Sequence, residues 1–148
     1  MYDFTVTKPD GSQVKLSNVL KEKKVAILNF WYTTCTCCVQ EFPLMQAAYA
    51  QYSGDAAIIA LDPLDSTDNV KAFQSYMGLT FDMAACPNSW ASAFNVQGYP
   101  TTIVVDRYGK ICLVEVGAVL DEEVWFKLFE HFTADDYEQV LLRSAYNL

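Results

Sequence analysis

The sequence predicts an α/β fold, a mixed central β-sheet flanked by helices and preceded by an N-terminal β-hairpin. Three observations predict it. Two continuous apolar runs, Val25 to Tyr32 and Ala56 to Leu61, have strand length and no alternation, as strands covered on both faces do. Between them Val39, Phe42, Met45, Tyr49 and Tyr52 recur at steps of three and four, the pattern of an amphipathic helix. Further on, Thr101 to Asp106 and Lys110 to Val116 flank Arg107-Tyr108-Gly109, which reads as an antiparallel hairpin. The βαβ unit implies a parallel, right-handed crossover, and the late hairpin adds antiparallel strands.

The elements follow in order. Tyr2 to Thr7 and Gln13 to Leu16 alternate apolar and polar around the turn Pro9-Asp10-Gly11, a short hairpin signal. Ser17 to Lys23 reads as one helical turn. After the first buried strand, a helix runs from Thr36 to about Ser53, with Pro43 expected to kink it and Gly54 to end it. The second buried strand leads to Ser66, the cap of a helix carrying Val70, Phe73 and Met77 and stopped by Gly78. Thr80 to Ala85 reads as a short strand and Ser89 to Phe94 as a helical turn. Past the late hairpin, Asp121, Glu122 and Glu123 open a helix with Val124, Leu128 and Phe132 on one stripe. Thr133 is expected to cap one further helix reaching Tyr146.

Composition narrows the function. A chain of 148 residues, 52% apolar, has material for a single domain over residues 1–148 and is not disordered. A net charge of -8 argues against nucleic acid or an anionic membrane surface as a partner. No apolar run approaches the roughly 20 residues needed to span a bilayer, and MYDFTVTKPDG does not read as a signal peptide. Of five cysteines, three fall within Cys35-Thr36-Cys37-Cys38. Such clustering points to redox chemistry or a metal rather than to a disulfide framework.

The cluster lies where a buried strand gives way to a helix. Cys35 is expected at the helix N-terminus, where free amides and the dipole stabilise a thiolate. Cys38, three residues on, returns to nearly the same face, so the pair can close into a disulfide with Cys35 as attacker and Cys38 as resolver. A closed zinc or copper site wants four ligands, and the one histidine, His131, lies far along the chain. No metal and no cofactor are called for. Cys86 and Cys112 read as buried single cysteines.

Asn29-Phe30-Trp31-Tyr32-Thr33-Thr34-Cys35-Thr36-Cys37-Cys38-Val39-Gln40-Glu41-Phe42-Pro43 resembles the N-F-W-x-x-W-C-x-x-C-x-x-E-x-P signature of TlpA/ResA-like thioredoxins. Tyr99-Pro100-Thr101-Thr102 followed by IVVDRYGKI is similar to their second signature, and the resemblance spans nearly the whole chain. It implies a thioredoxin-like fold and a bacterial thiol–disulfide oxidoreductase. It also implies a cis-proline at Pro100 packing against the disulfide, a Tyr99 backbone that pairs with substrate, and a Trp31 that shields the site. Asn29 stands where ordinary thioredoxins have a titrating Asp. The resemblance therefore moves the proton carrier to Asp65, with Asp62 behind it and a raised pKa expected. Glu41 matches the signature acid. Thr34 stands where the family has Trp, which leaves the approach to Cys35 less covered, and Thr36-Cys37 occupies positions that tune the potential.

The function expected is reduction of protein disulfides through a mixed disulfide. Its partners would be disulfide-containing substrate proteins and an upstream electron donor such as a thioredoxin or a membrane thiol transporter. The resemblance implies an extracytoplasmic place on an N-terminal membrane anchor in the full-length protein, with a cytoplasmic one left open. A thiol peroxidase of peroxiredoxin type is the alternative enzyme, though Leu28 and Tyr32 stand where it needs proline and threonine. A copper-binding module on the same fold is the non-enzyme alternative, though Val39 stands where its second cysteine would be.

Overall fold

A computed structural model describes residues 3–148. Strands β1 (Thr5–Thr7) and β2 (Gln13–Lys15) pair antiparallel with Val6 opposite Val14. Tyr2, the first residue of the expected hairpin, lies outside the described residues. Helix α1 (Leu16–Glu22) leads into β3 (Val25–Phe30), and α2 (Thr36–Tyr52) passes through exposed Pro43 as one helix. Next come β4 (Ala56–Asp62), α3 (Thr67–Met77), β5 (Asp82–Ala85) and the short α4 (Ser89–Ala93). Strands β6 (Thr101–Asp106) and β7 (Ile111–Val116) and helix α5 (Glu122–Thr133) complete the set. The predicted caps of α3 are in place: Ser66 Oγ accepts from the Asn69 amide, and Gly78 adopts the left-handed conformation at φ +65.

The sheet has five strands in the order β5-β4-β3-β6-β7, and β3, at its centre, buries all six of its side chains. β3 runs parallel to β4 and antiparallel to β6, so the sheet is mixed. Alternation along β3 divides the core in two: Val25 and Ile27 face α2 and α5, while Ala26, Leu28 and Phe30 face the hairpin, α1 and α4. With β3 and β4 parallel, their C-terminal ends lie at one edge of the sheet. The cysteine cluster is at that edge.

The C-terminal segment departs from expectation. Thr133 does not cap another helix; it ends α5, with its Oγ1 donating to the Phe129 carbonyl at 2.7 Å. Residues 134–144 carry no helix, and only a 3₁₀ turn, Ala145–Asn147, follows. The segment lies along the edge strand instead. The Leu142 amide donates to the Cys112 carbonyl at 2.7 Å, and Ala145 and Ser144 both bond the Glu115 carboxylate. An uncovered edge strand offers unpaired backbone groups, and meeting them outweighs the weak helical preference of this stretch.

Candidate active site

β3 ends at Phe30, and residues 31–35 turn the chain into α2. Cys35 is the N-cap, in extended conformation, and its Sγ accepts from the Cys38 amide at 3.3 Å. The two cysteines form a disulfide with their Cα atoms 5.3 Å apart. Cys38 has no exposed surface and Cys35 only 6%. The Cys35 sulfur therefore sits against amides that stabilise a thiolate. Cys37 points outward as a free, exposed thiol, and Thr34 is exposed beside the pair.

Beneath the pair lies an aromatic floor. Trp31 is fully buried, edge-to-face with Phe42 at 5.1 Å and tilted on Phe73 at 4.8 Å. It shares the core cluster of the two cysteines and has no exposed surface of its own. The Tyr99–Pro100 bond is cis, and because Phe30 faces Thr101, Pro100 is level with Trp31. The Pro100 carbonyl accepts from the Gly117 amide at 2.8 Å. Tyr32 packs edge-to-face on Tyr99 at 5.2 Å, a contact that spacing along the chain cannot reveal.

Three carboxyl groups surround this frame. Asp62 ends β4 with no exposed surface, and burial together with the adjacent Asp65 carboxyl pushes it up to about 7. Asp65 goes the other way: its hydrogen bond with Asp62 and the one from the Thr33 amide (2.8 Å) hold it below the ordinary range. Of the two, Asp62 is the one pushed towards keeping its proton. The expectation of a raised Asp65 is reversed, because Asp65 is only half-buried and meets donors, whereas Asp62 is enclosed.

Glu41, one helical turn past Cys38, is the third. It is fully buried, and desolvation raises it to about 7 against the pull of its donors, the Val119 amide (2.6 Å) and Asn29 Nδ2 (3.0 Å). Asn29 also donates to Thr102 Oγ1 at 3.3 Å, and the Val119 carbonyl accepts from Trp125 Nε1 at 2.9 Å. Glu41 thereby ties α2 to β3 and to the loop after β7. Its signature position was the only mark of this in the sequence.

Cys86 follows β5, and its amide donates to the Asp62 carbonyl at 2.9 Å. It is half-buried rather than buried, and desolvation with the Asp62 charge drives its thiol up to about 12. Cys112 is buried as expected. Among the described residues no group of three or more His, Cys, Asp and Glu side chains is placed to hold a metal ion.

The AhpC/TSA family model matches residues 1–114. The chain belongs to the AhpC/TSA family. The thioredoxin-like protein YneN of Bacillus subtilis is 33% identical over 129 residues, which cover 85% of this chain and 75% of YneN. The thiol-disulfide oxidoreductase ResA of Bacillus anthracis is 33% identical over 124 residues, covering 82% and 70%. Of solved structures, a thioredoxin-family thiol:disulfide interchange protein from Chlorobium tepidum superposes with a TM-score of 0.76 at 25% identity. That match covers 89% of this chain and 94% of the other. This family member is accordingly a thioredoxin-like thiol–disulfide oxidoreductase, and Cys35–Cys38 is its CxxC pair.

Proposed function

We propose that this oxidoreductase reduces protein disulfides, with Cys35 as the attacking thiol and Cys38 as the resolving one. The observation that carries the reading is the pair itself: one sulfur at the N-cap of α2 against free amides, the other fully buried one turn below. The Cys35 thiolate attacks a substrate disulfide, and one substrate sulfur leaves as thiolate. The Cys38 thiolate then attacks Cys35 Sγ, releasing the second substrate thiol and forming the intramolecular disulfide. An upstream dithiol donor, a thioredoxin or a membrane thiol transporter, returns two electrons and two protons.

The remaining roles complete the proposal. The Asp62–Asp65 pair takes the proton of the resolving thiol, with Asp65 as its less buried member. Tyr99, next to Pro100, pairs through its backbone with an extended substrate segment; among the described residues its N–H and C=O enter no hydrogen bond. Thr34 leaves the approach to Cys35 open, and Trp31 keeps water from the pair's inner side. The protein acts outside the cytoplasm on a membrane tether, a part of the reading that rests on the family resemblance. No helix among the described residues is long and apolar enough to cross a membrane.

Insulin reduction driven by dithiothreitol tests the chemistry. Wild type accelerates it and Cys35→Ser does not; equal turnover by the two would sink the reading. Labelling of whole cells with a membrane-impermeant maleimide tests the location. Exposed Cys37 reacts if the protein lies outside the cytoplasm and stays unlabelled if it lies within.

A further inference from the structure

The cations of this molecule are sorted by end. No Lys or Arg occurs in residues 25–70, 72–106 or 111–126. Those stretches contain every loop at the disulfide end: 31–35, 63–66, 86–88, 94–100 and 117–121. The same loops, and the helices they open, carry Asp65, Asp68, Asp121, Glu122 and Glu123. Of these, Glu123 is ion-paired with Lys127 at 3.3 Å. The N-termini of α2, α3 and α5 also point here, each worth about half a positive charge, which leaves the balance negative. At the far end of β3 and β6 lie Lys21, Lys23, Lys24, Arg107 and Lys110, together with the acids Glu22, Asp55, Asp106 and Asp135, of which Asp55 and Asp135 pair with Lys24.

An apolar strip lies on the same end. Val114 and Val116, opposite Ile103 and Thr101, share one face of the edge strand β7 and are 47% and 51% exposed. Leu120, 52% exposed, lies in the loop that follows β7, whose Gly117 amide holds the Pro100 carbonyl. The hairpin and α1 cover this face over β3, but leave it open at β7. Single exposed apolar side chains are ordinary. A run of them beside a redox pair, rimmed by one sign of charge, is an interaction surface with stated chemistry.

We propose that this end docks an extended, basic segment of the substrate protein. Apolar side chains of the segment lie on Val114, Val116 and Leu120, and its Lys or Arg side chains reach Asp121, Glu122, Asp65 and Asp68. The proposal rests on the reductase reading and names the substrate class: cationic proteins whose disulfide is flanked by Lys or Arg.

The experiment uses two fluorogenic peptide disulfides, identical except for Lys-Lys or Glu-Glu flanking the cysteine, with the full chain kept reduced by dithiothreitol. At low salt the Lys peptide is expected to show a kcat/KM about tenfold higher, and 0.3 M salt to erase most of the difference. The variant Asp68→Asn/Glu122→Gln narrows the low-salt ratio, and Leu120→Ser lowers turnover of both peptides without changing salt dependence. Equal kcat/KM for the two peptides in wild type overturns the docking proposal, a result that needs no variant to fold. Turnover of neither peptide overturns the reductase reading instead.

Discussion

Asp62 and Asp106 make a controlled comparison inside one molecule. Each ends a strand of the same sheet, β4 or β6, and neither has exposed surface. Each uses Oδ1 in the same way: Asp62 accepts from the Leu64 and Asp65 amides (2.9 and 3.0 Å), Asp106 from the Tyr108 and Lys110 amides (2.9 and 3.0 Å). They differ at Oδ2. That of Asp106 accepts from Tyr137 Oη (2.7 Å), Gln139 Nε2 (3.0 Å) and Cys112 Sγ (3.4 Å). That of Asp62 meets no donor, only the carboxyl of Asp65.

The second oxygen decides the charge. Burial pushes both groups up, but the donors around Asp106 outweigh it and hold the group below its ordinary 3.8. Asp62 rises to about 7. The far end of the sheet is thus locked by a carboxylate, while the redox end keeps protonated carboxyls ready to titrate near neutrality. Glu41 belongs with Asp62: two donors do not offset its enclosure. The signs for stability follow. The contribution of Asp106 is present above pH 3.8 and lost as pH falls through its lower folded value. Asp62 and Glu41 hold protons longer in the folded state than in the unfolded, so their contribution declines as pH rises from the ordinary carboxyl range towards 7.

The comparison can be broken at several points. Asp106→Ala strips acceptors from buried donors and is expected to cost about 4 kcal/mol in urea unfolding while leaving the dithiothreitol-driven rate per folded molecule unchanged. Loss of rate there would mean that the two ends are coupled. Glu41→Gln keeps an acceptor for Val119 but cannot ionise. Relative to this variant, wild type should lose about 3 kcal/mol between pH 4.5 and pH 8, the worth of the shift to about 7. Parallel stability–pH curves would show that Glu41 ionises without cost.

Asp62→Asn is expected to remove an inflection near pH 7 from the pH–rate profile. A profile unchanged by Asp62→Asn yet flattened by Glu41→Gln would move the proton of the resolving step from the aspartate pair to Glu41. The smallest effect belongs to Tyr108→Ser. Tyr108 is exposed over Tyr137 at the far turn, and its loss is expected to stay within about 0.5 kcal/mol by the same unfolding assay.

How much was legible in the sequence depended on range. The run Val25 to Tyr32, the three-and-four spacing after Thr36 and the cap residues Ser66 and Gly78 are local signals, and each became the element they indicate. The stretch after Thr133 was misread because its partner is the edge of β7, many residues back. In the candidate site, Cys35 and Cys38 sit in a motif that states its own geometry, since spacing on one helix turn fixes their approach. The carboxyl groups do not. Asp65 matched a family position, but which of Asp62 and Asp65 holds the proton turns on enclosure by other segments.

The sequence by itself determined the redox pair, the strand–helix junction that presents it and the surplus of acid in the loops around it. These are properties of short spacing and of composition. Only the tertiary structure decided the protonation of Asp62 and Glu41, the burial of Trp31, the meeting of Tyr32 with Tyr99 and the exposed strip on β7. Each of these depends on which distant groups close over a side chain, and desolvation and donor count are set by the whole fold rather than by neighbours in the chain.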